Sequence, residues 1–453
     1  MPIASQTVSH WDTVLQPVLD ALRGAKHRPC LTGLHGSATA FALTLLARAD
    51  DRSWLIVVDS DEAAERLSND LRFFHHLLGL PTGPLALFPE WETLPYEATP
   101  PHVELVARRM RTLHQLTTGQ RTLLVTSVPA LLHRLLPRTV FTGACLRLAP
   151  GGTMERDALI ARLLRLGYRR TSVVEIPGEF SIRGGIVDIY STAYDEPLRL
   201  EWLGDTIESV RLFDQATQKS TAARDHAWVL PARELIYPEG RREGPDKGLE
   251  PLPPDAEWRG PDVYDGLETL LDYYAAPAVL VFENPPTLAK KAAEFWEEIT
   301  DAHERHSGKN DRDPYPEPAR LFLTWEEIPA LTAAWPRLAT APLASLDDSW
   351  QPAVTFPVQS PASVGLAQRG TPFTETLAIL NRLRSGGLVV LVARSRGQVD
   401  RLLALFGEHD LPAAHWTPQR WTASGTQKSP FSLMHGDLSA GFVSADGRLT
   451  IVT

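Results

Sequence analysis

The chain has 453 residues, 43% of them hydrophobic and 22% charged, with 37 prolines and a net charge of −10. That length exceeds one hydrophobic core and predicts about two to four domains in an ordinary soluble protein. The acidic balance argues against holding DNA mainly by neutralising phosphates, so any basic patch must be local. Cys30 and Cys145 are the only cysteines, too few and too distant for a metal cluster or disulfide framework, as suits a reducing cytosol. The first residues lack the basic start and apolar core of a secretory signal, and no apolar run approaches the roughly 20 residues that span a bilayer. A cytoplasmic protein with no membrane contact is expected.

Along the chain, Val14, Leu15, Val18, Leu19 and Leu22 repeat at helical spacing, with Pro17 expected to bend that helix or sit in its first turn. Strand and helix patterns then alternate: PCLTGL, ATAFALTLLARA, SWLIVVDS, DEAAERLSNDLRFFHHLL, LALFP, HVELVARRMRTLHQL and RTLLVTS. This rhythm predicts a doubly wound, mostly parallel sheet. Near residue 137 the character changes. A helix over Leu159, Ile160, Leu163 and Leu164, capped by Thr153 and ended by Gly167, leads into period-two stretches at 179–191 and 198–214. Gly204-Asp205 supplies a tight turn there. These features predict a small α+β unit inserted into the α/β domain.

Residues 237–263 are rich in Pro, Gly and charge and read as a surface connection. PAVLVFENPP is a further buried strand, followed by the helix LAKKAAEFWEEI and a polar loop ending at EPAR. Residues 336–363 are the best candidate linker. TETLAILNRLRSG, GLVVLVARS and QVDRLLALFGEH then restart the α/β rhythm, and the strand GRLTIVT ends the chain in a way that suggests a cut from a longer protein. The expected division is 1–136 and 237–345 for a first domain in two parts, 137–236 for its insert, 346–360 for the linker, and 361–453 for a small α/β domain.

One loop has the shape of a phosphate loop without its chemistry. Gly33-Leu34-His35-Gly36-Ser37-Ala38-Thr39-Ala40 lies between a strand and a helix, where a working loop reads G-x-x-G-x-G-K-T. The glycines of such a loop let backbone N–H groups wrap the phosphates; its lysine reaches the β- and γ-phosphates and its hydroxyl holds Mg²⁺. Ala38 replaces the last glycine, Thr39 the lysine and Ala40 the hydroxyl. The strand AVLVFENPP stands where a helicase fold carries D-E-x-H, yet Asn284 cannot serve as a base beside Glu283, and Pro286 takes the histidine's place. ATP turnover, a nucleotide cofactor, a bound metal and any catalytic residue are therefore not expected of this chain.

Three stretches together resemble one family. FPEWETLPYEATPPH at 88–102, GYRRTSVVEIPGEFSIRGGIVDIYS at 167–191 and LRLEWLGDTIESVRLFDQATQKS at 198–220 look like transcription-repair coupling factors. The second stretch is shared with the excision-repair helicase UvrB, which keeps the phosphate-loop lysine lost here. The resemblance is strong from about residue 30 to 235, weaker to 300, and mostly architectural after 360. It implies a degenerate helicase-like (RecA, P-loop NTPase-type) domain whose insert binds UvrA.

In UvrB the pattern is Y-x-R followed by F-R-V-R-G, with arginines that contact UvrA. By that pattern Arg169 and Arg183 are the candidate UvrA-binding residues, with Glu179 and Phe180 beside them, while Ser181 stands in the place of the middle arginine. The residues themselves add that a guanidinium is a rigid fork for a partner carboxylate, and that Gly184-Gly185 lets another backbone approach. Without the family pattern, the favoured reading of both arginines is as solvated strand residues.

The resemblance implies a module that recruits UvrA, within a longer ATP-driven translocase acting on RNA polymerase and double-stranded DNA; the chain itself is expected to be a non-catalytic monomer. The alternatives are a UvrB-like DNA-dependent ATPase or a helicase-derived DNA-binding scaffold. Arg162, Arg165, Arg169 and Arg170, and separately Arg108, Arg109 and Arg111, form local basic runs that fit either DNA contact or a solvated helix edge. His75-His76 reads as one core and one surface residue, and Trp202 as core.

Overall fold

The computed structural model describes residues 3–24, 28–81, 85–236, 255–307, 315–342, 349–366, 373–417 and 430–453. Most of the connection expected at 237–263, part of the polar loop before EPAR and part of the expected linker lie outside these residues. Within them, 256–263 forms two short helical turns.

The first four strands are β1 (Cys30–Thr32), β2 (Trp54–Val58), β3 (Leu85–Phe88) and β4 (Leu123–Ser127). β2 and β4 are buried at every position, which is why they read as continuous apolar runs rather than as alternating ones. Helices separate them, and Ser60 caps the helix Asp61–Leu77 by accepting from the Ala63 N–H at 3.3 Å. Pro17 lies inside the first helix, Ile3–Arg23, not in its first turn.

The insert contributes β5 (Leu146–Leu148), β6 (Arg169–Arg170), β7 (Glu179–Arg183), β8 (Ile186–Ile189), β9 (Leu198–Leu203), β10 (Thr206–Phe213), β11 (Ser220–Ala223) and β12 (Ala227–Val229). β6 to β11 make one six-stranded sheet in consecutive order, antiparallel except for the pair β6–β7. β5 and β12 pair antiparallel where the chain enters and leaves the insert. The helix Arg156–Arg165 begins without a side-chain cap. Thr153, expected as that cap, instead bridges to Thr206 at the β9–β10 turn. That turn uses Gly204 in the left-handed region, at φ +61°, as the sequence expects. Trp202 packs on the core with its indole N–H on the Met154 carbonyl at 2.9 Å.

The chain then returns to the first sheet through β13 (Val279–Glu283), β14 (Arg337–Thr340) and β15 (Ala353–Thr355). The completed sheet has seven strands in the order β15-β1-β14-β13-β2-β4-β3, and every pairing is parallel. This is the helicase-like architecture with an insert. The region expected as linker, 336–363, holds two of these strands. Its prolines disguise them, because Pro336, Pro342, Pro352 and Pro357 flank segments of only three or four residues.

A second α/β unit follows, with β16 (Val358–Gln359), β17 (Leu388–Ala393), β18 (Ala413–His415), β19 (Phe431–His435), β20 (Phe442–Ser444) and β21 (Leu449–Val452). Its sheet runs β16-β20-β21-β17-β19-β18. One hydrophobic cluster crosses from the first sheet into this unit, joining Phe41, Phe74 and Phe356 to Phe442, Leu449 and Ile451. No helix among the described residues is long and apolar enough to cross a membrane.

Candidate functional site

The insert's sheet has two chemically distinct faces, set by period-two alternation. Phe180, Val187, Ile189, Leu198 and Leu200 turn inward and are fully buried. Register places Arg169 opposite Glu179, Ser181 opposite Asp188, Asp188 opposite Arg199, and Arg199 opposite Arg211 on the other face.

Two buried carboxylates organise that polar face. Glu179, only 5% exposed, holds the Arg169 guanidinium at 2.5 Å. Its second oxygen accepts from the N–H groups of Glu175 (2.8 Å) and Ile176 (3.3 Å). Burial works to raise the Glu179 pKa, but these N–H donors and Arg169 outweigh it and hold the carboxyl below its usual range. Asp188, 1% exposed, takes a two-point contact from Arg199 at 2.7 and 2.9 Å and a third from Arg183 at 3.4 Å. Arg183 also reaches Gln218 at 3.3 Å. Each carboxylate therefore aims a guanidinium that stays largely open to solvent: the Arg169 side chain is 70% exposed and that of Arg183 48%.

The five residues singled out from the family pattern divide accordingly. Arg169 and Arg183 stand on the surface. Glu179 lies beneath it as a positioning group. Phe180 and Ser181 do not face outward, which corrects the expectation for both. Phe180 is on the inner face in the hydrophobic core, while Ser181 is covered by the 171–178 loop, its hydroxyl donating to the Ser172 carbonyl at 3.2 Å. The Gly184-Gly185 pair makes the two-residue turn between β7 and β8, with Arg183 paired to Ile186.

The sequence reading missed Asp188 and Arg199, although the alternation of Asp188 with Val187 and Ile189, and of Arg199 with Leu198 and Leu200, was visible. It also missed Val173 and Ile176, about 40% exposed on the loop that Glu179 anchors.

In the basic runs, Arg108, Arg109, Arg111 and Arg162 bond within the chain. Arg109 is fully buried and paired with Glu234, and it also donates to the Pro89 carbonyl at 2.7 Å. Trp91 shares the same carboxylate through its indole N–H at 2.9 Å. The FPEW segment thus fastens the helix Val103–Thr117 to the exit of the insert. Arg108 pairs with Glu65, Arg111 with Asp195, and Arg162 donates to the Gly143 carbonyl. His75 is buried with Nδ1 2.8 Å from the Pro81 oxygen, and His76 is exposed.

The phosphate-loop remnant leads into the helix Ala38–Arg48. Gly33 and Gly36 hold left-handed backbone at φ +74° and +56°, as a loop wrapping an anion requires. Thr39, at the lysine position, lines a cavity of about 180 Å³ together with Leu34, Asp59, Glu283, Asn284, Thr287 and Thr340. Ser37, Ala38 and Ala40 are buried, Ala38 and Ala40 within the core. Asn284 sits at φ +52°, donates its N–H to the Thr340 carbonyl at 2.6 Å, and accepts at its own carbonyl from Thr287, opening the helix Pro285–Ser307.

Among the described residues, no guanidinium forms an ion pair with Glu283. Burial pushes its carboxyl up to about 7, with Asp59 and Asp70 adding to the effect and Arg66 opposing it. Burial likewise raises Asp70 to about 6. Among the described residues, no group of three or more His, Cys, Asp and Glu is placed to hold a metal ion.

A family profile described as the UvrB interaction domain matches residues 146–235, the segment that forms the two-faced sheet. Over 96% of its length the chain is 30% identical to the transcription-repair-coupling factor of Myxococcus xanthus, of which it covers 39%. This chain is a transcription-repair-coupling-factor homologue. The Escherichia coli protein of that name is 30% identical over 55% of the chain and 23% of its own length, and the Bacillus subtilis one 30% identical over 51% and 19%. The chain thus spans about two fifths or less of each of these relatives.

Proposed function

We propose that this chain is a docking module: its inserted sheet binds UvrA through Arg169 and Arg183, and the chain itself does not turn over ATP. The observation that carries this reading is the pair of exposed guanidinia, each aimed by a buried carboxylate, within the segment that matches the UvrB interaction domain. A rigidly presented guanidinium loses little freedom on meeting a partner carboxylate, so more of the contact survives as affinity. Within a longer protein the module would bring UvrA to RNA polymerase stalled at a DNA lesion and so hand the lesion to nucleotide excision repair. The ATP-driven motor on double-stranded DNA would then lie outside these residues. The missing lysine and hydroxyl at Thr39 and Ala40 support the non-catalytic part of the proposal.

Calorimetry of purified UvrA against the parent, Arg169→Ala and Arg183→Ala tests it. Truncating a charged anchor at an interface costs about 2–5 kcal/mol, so binding should weaken at least about tenfold in each variant. No binding by the parent would remove the insert from UvrA recognition, and unchanged binding by both variants would remove Arg169 and Arg183 as its anchors. Nucleotide-dependent thermal stabilisation of the parent would instead favour an ATPase of the UvrB type.

A further inference from the structure

In a nucleotide-binding member of this fold, phosphate oxygens rest against the N–H groups where the loop meets its helix. Here protein backbone occupies that place. The Ser37 N–H donates to the Ala440 carbonyl at 3.3 Å. A Cβ on Gly36 would stand 2.6 Å from the Gly441 carbonyl oxygen and 3.0 Å from the Ala440 Cβ, and one on Gly33 would stand 2.9 Å from the Phe356 oxygen. The two glycines of the loop therefore admit other parts of the same chain.

The neighbouring helix, Asp61–Leu77, closes on the same turn. Asp70 accepts from both the Ser439 N–H, at 2.8 Å, and the Ser439 hydroxyl, at 2.5 Å. A Cβ on Gly436 would meet the Phe73 ring at 2.7 Å. Beneath them Phe442 packs against Phe41 and Phe74, with ring centroids 5.5 and 6.2 Å apart, and Phe356 stacks on Trp11 at 4.6 Å.

We infer that the phosphate-loop remnant and the helix Asp61–Leu77 form a socket for the C-terminal α/β unit, whose turn 436–441 occupies the former phosphate position with the Ala440 carbonyl against the Ser37 N–H. The loop keeps its shape because a protein backbone fills it. The docked turn joins the two sheets into one body and shuts the loop to nucleotides. It also gives the C-terminal unit, which carries no catalytic motif, a defined role.

Hydrogen exchange on the full chain tests the socket. Ser439→Ala, a mild change, and Gly36→Val, a severe one, should each speed exchange at Ser37 and across 436–442 by tenfold or more. Unchanged exchange there in a folded Ser439→Ala variant would overturn the inference. A second arm restores phosphate-loop chemistry with Ala38→Gly/Thr39→Lys/Ala40→Thr and adds Mg·ATP. No binding, or binding that strips protection from 436–442, means that the turn holds the phosphate position. ATP binding with the turn still protected means that it does not.

Discussion

The inserted sheet and the cleft beside Thr39 both bury carboxylates, and they treat them oppositely. In the insert, Glu179 and Asp188 face arginines, and burial serves to fix guanidinia whose outer edges stay in water. In the cleft, Glu283 has Asp59 and Asp70 for neighbours, with Arg66 in opposition, and burial drives it towards the neutral acid. A buried carboxylate with a cation is a positioning device. One without a paired cation is driven towards its neutral acid.

The sharpest way to break this contrast is Asp188→Asn. It strands Arg199, whose side chain is only 16% exposed, and removing one partner of a buried pair costs about 3–5 kcal/mol. Urea unfolding should show a loss near the lower end of that range, and a loss under about 1 kcal/mol would mean the pair does not organise the face.

The cleft should respond to pH instead. Because the folded-state pKa of Glu283 lies above its unfolded value, its contribution to stability is complete below about pH 4 and is lost as pH rises through about 7. Relative to Glu283→Gln, the parent should therefore lose on the order of 2 kcal/mol between pH 5 and 8, read from melts across that range. Parallel curves would show that Glu283 is not held protonated. The smallest effect belongs to a pair that serves neither purpose: Arg108 and Glu65 are both about half exposed, and Arg108→Ala should change stability by less than about 1 kcal/mol.

What could be read from residues alone follows the range of the interactions. β2, β4 and β13 are legible because burial on both faces leaves unbroken runs of Val, Leu and Ile. The insert is legible because one face is apolar and the other polar. Phe180 could have been placed correctly, since Glu179-Phe180-Ser181-Ile182-Arg183 alternates and puts it beside Ile182 on the inner face; the family pattern drew attention to it as a contact. Ser181 could not, because what covers it is a loop folded back from residue 172. β14 and β15 were hidden by their short length and flanking prolines. The contact between Asp70 and Ser439 joins residues 369 positions apart, and no local pattern announces it.

The paired stem of the insert has a mechanical consequence. β5 and β12 run side by side, so the chain crosses into and out of the insert through one hydrogen-bonded ribbon. Tyr168, Ser191 and Thr192 fasten it further, through their hydroxyls, to the carbonyls of Leu230, Trp228 and Pro231. A pull on the insert is shared by two crossings loaded together, with the buried Arg109–Glu234 pair as a rivet at the base. The insert is thus mounted as a stiff lever, and torque on a docked partner would pass into the parallel sheet without first drawing a loose tether taut.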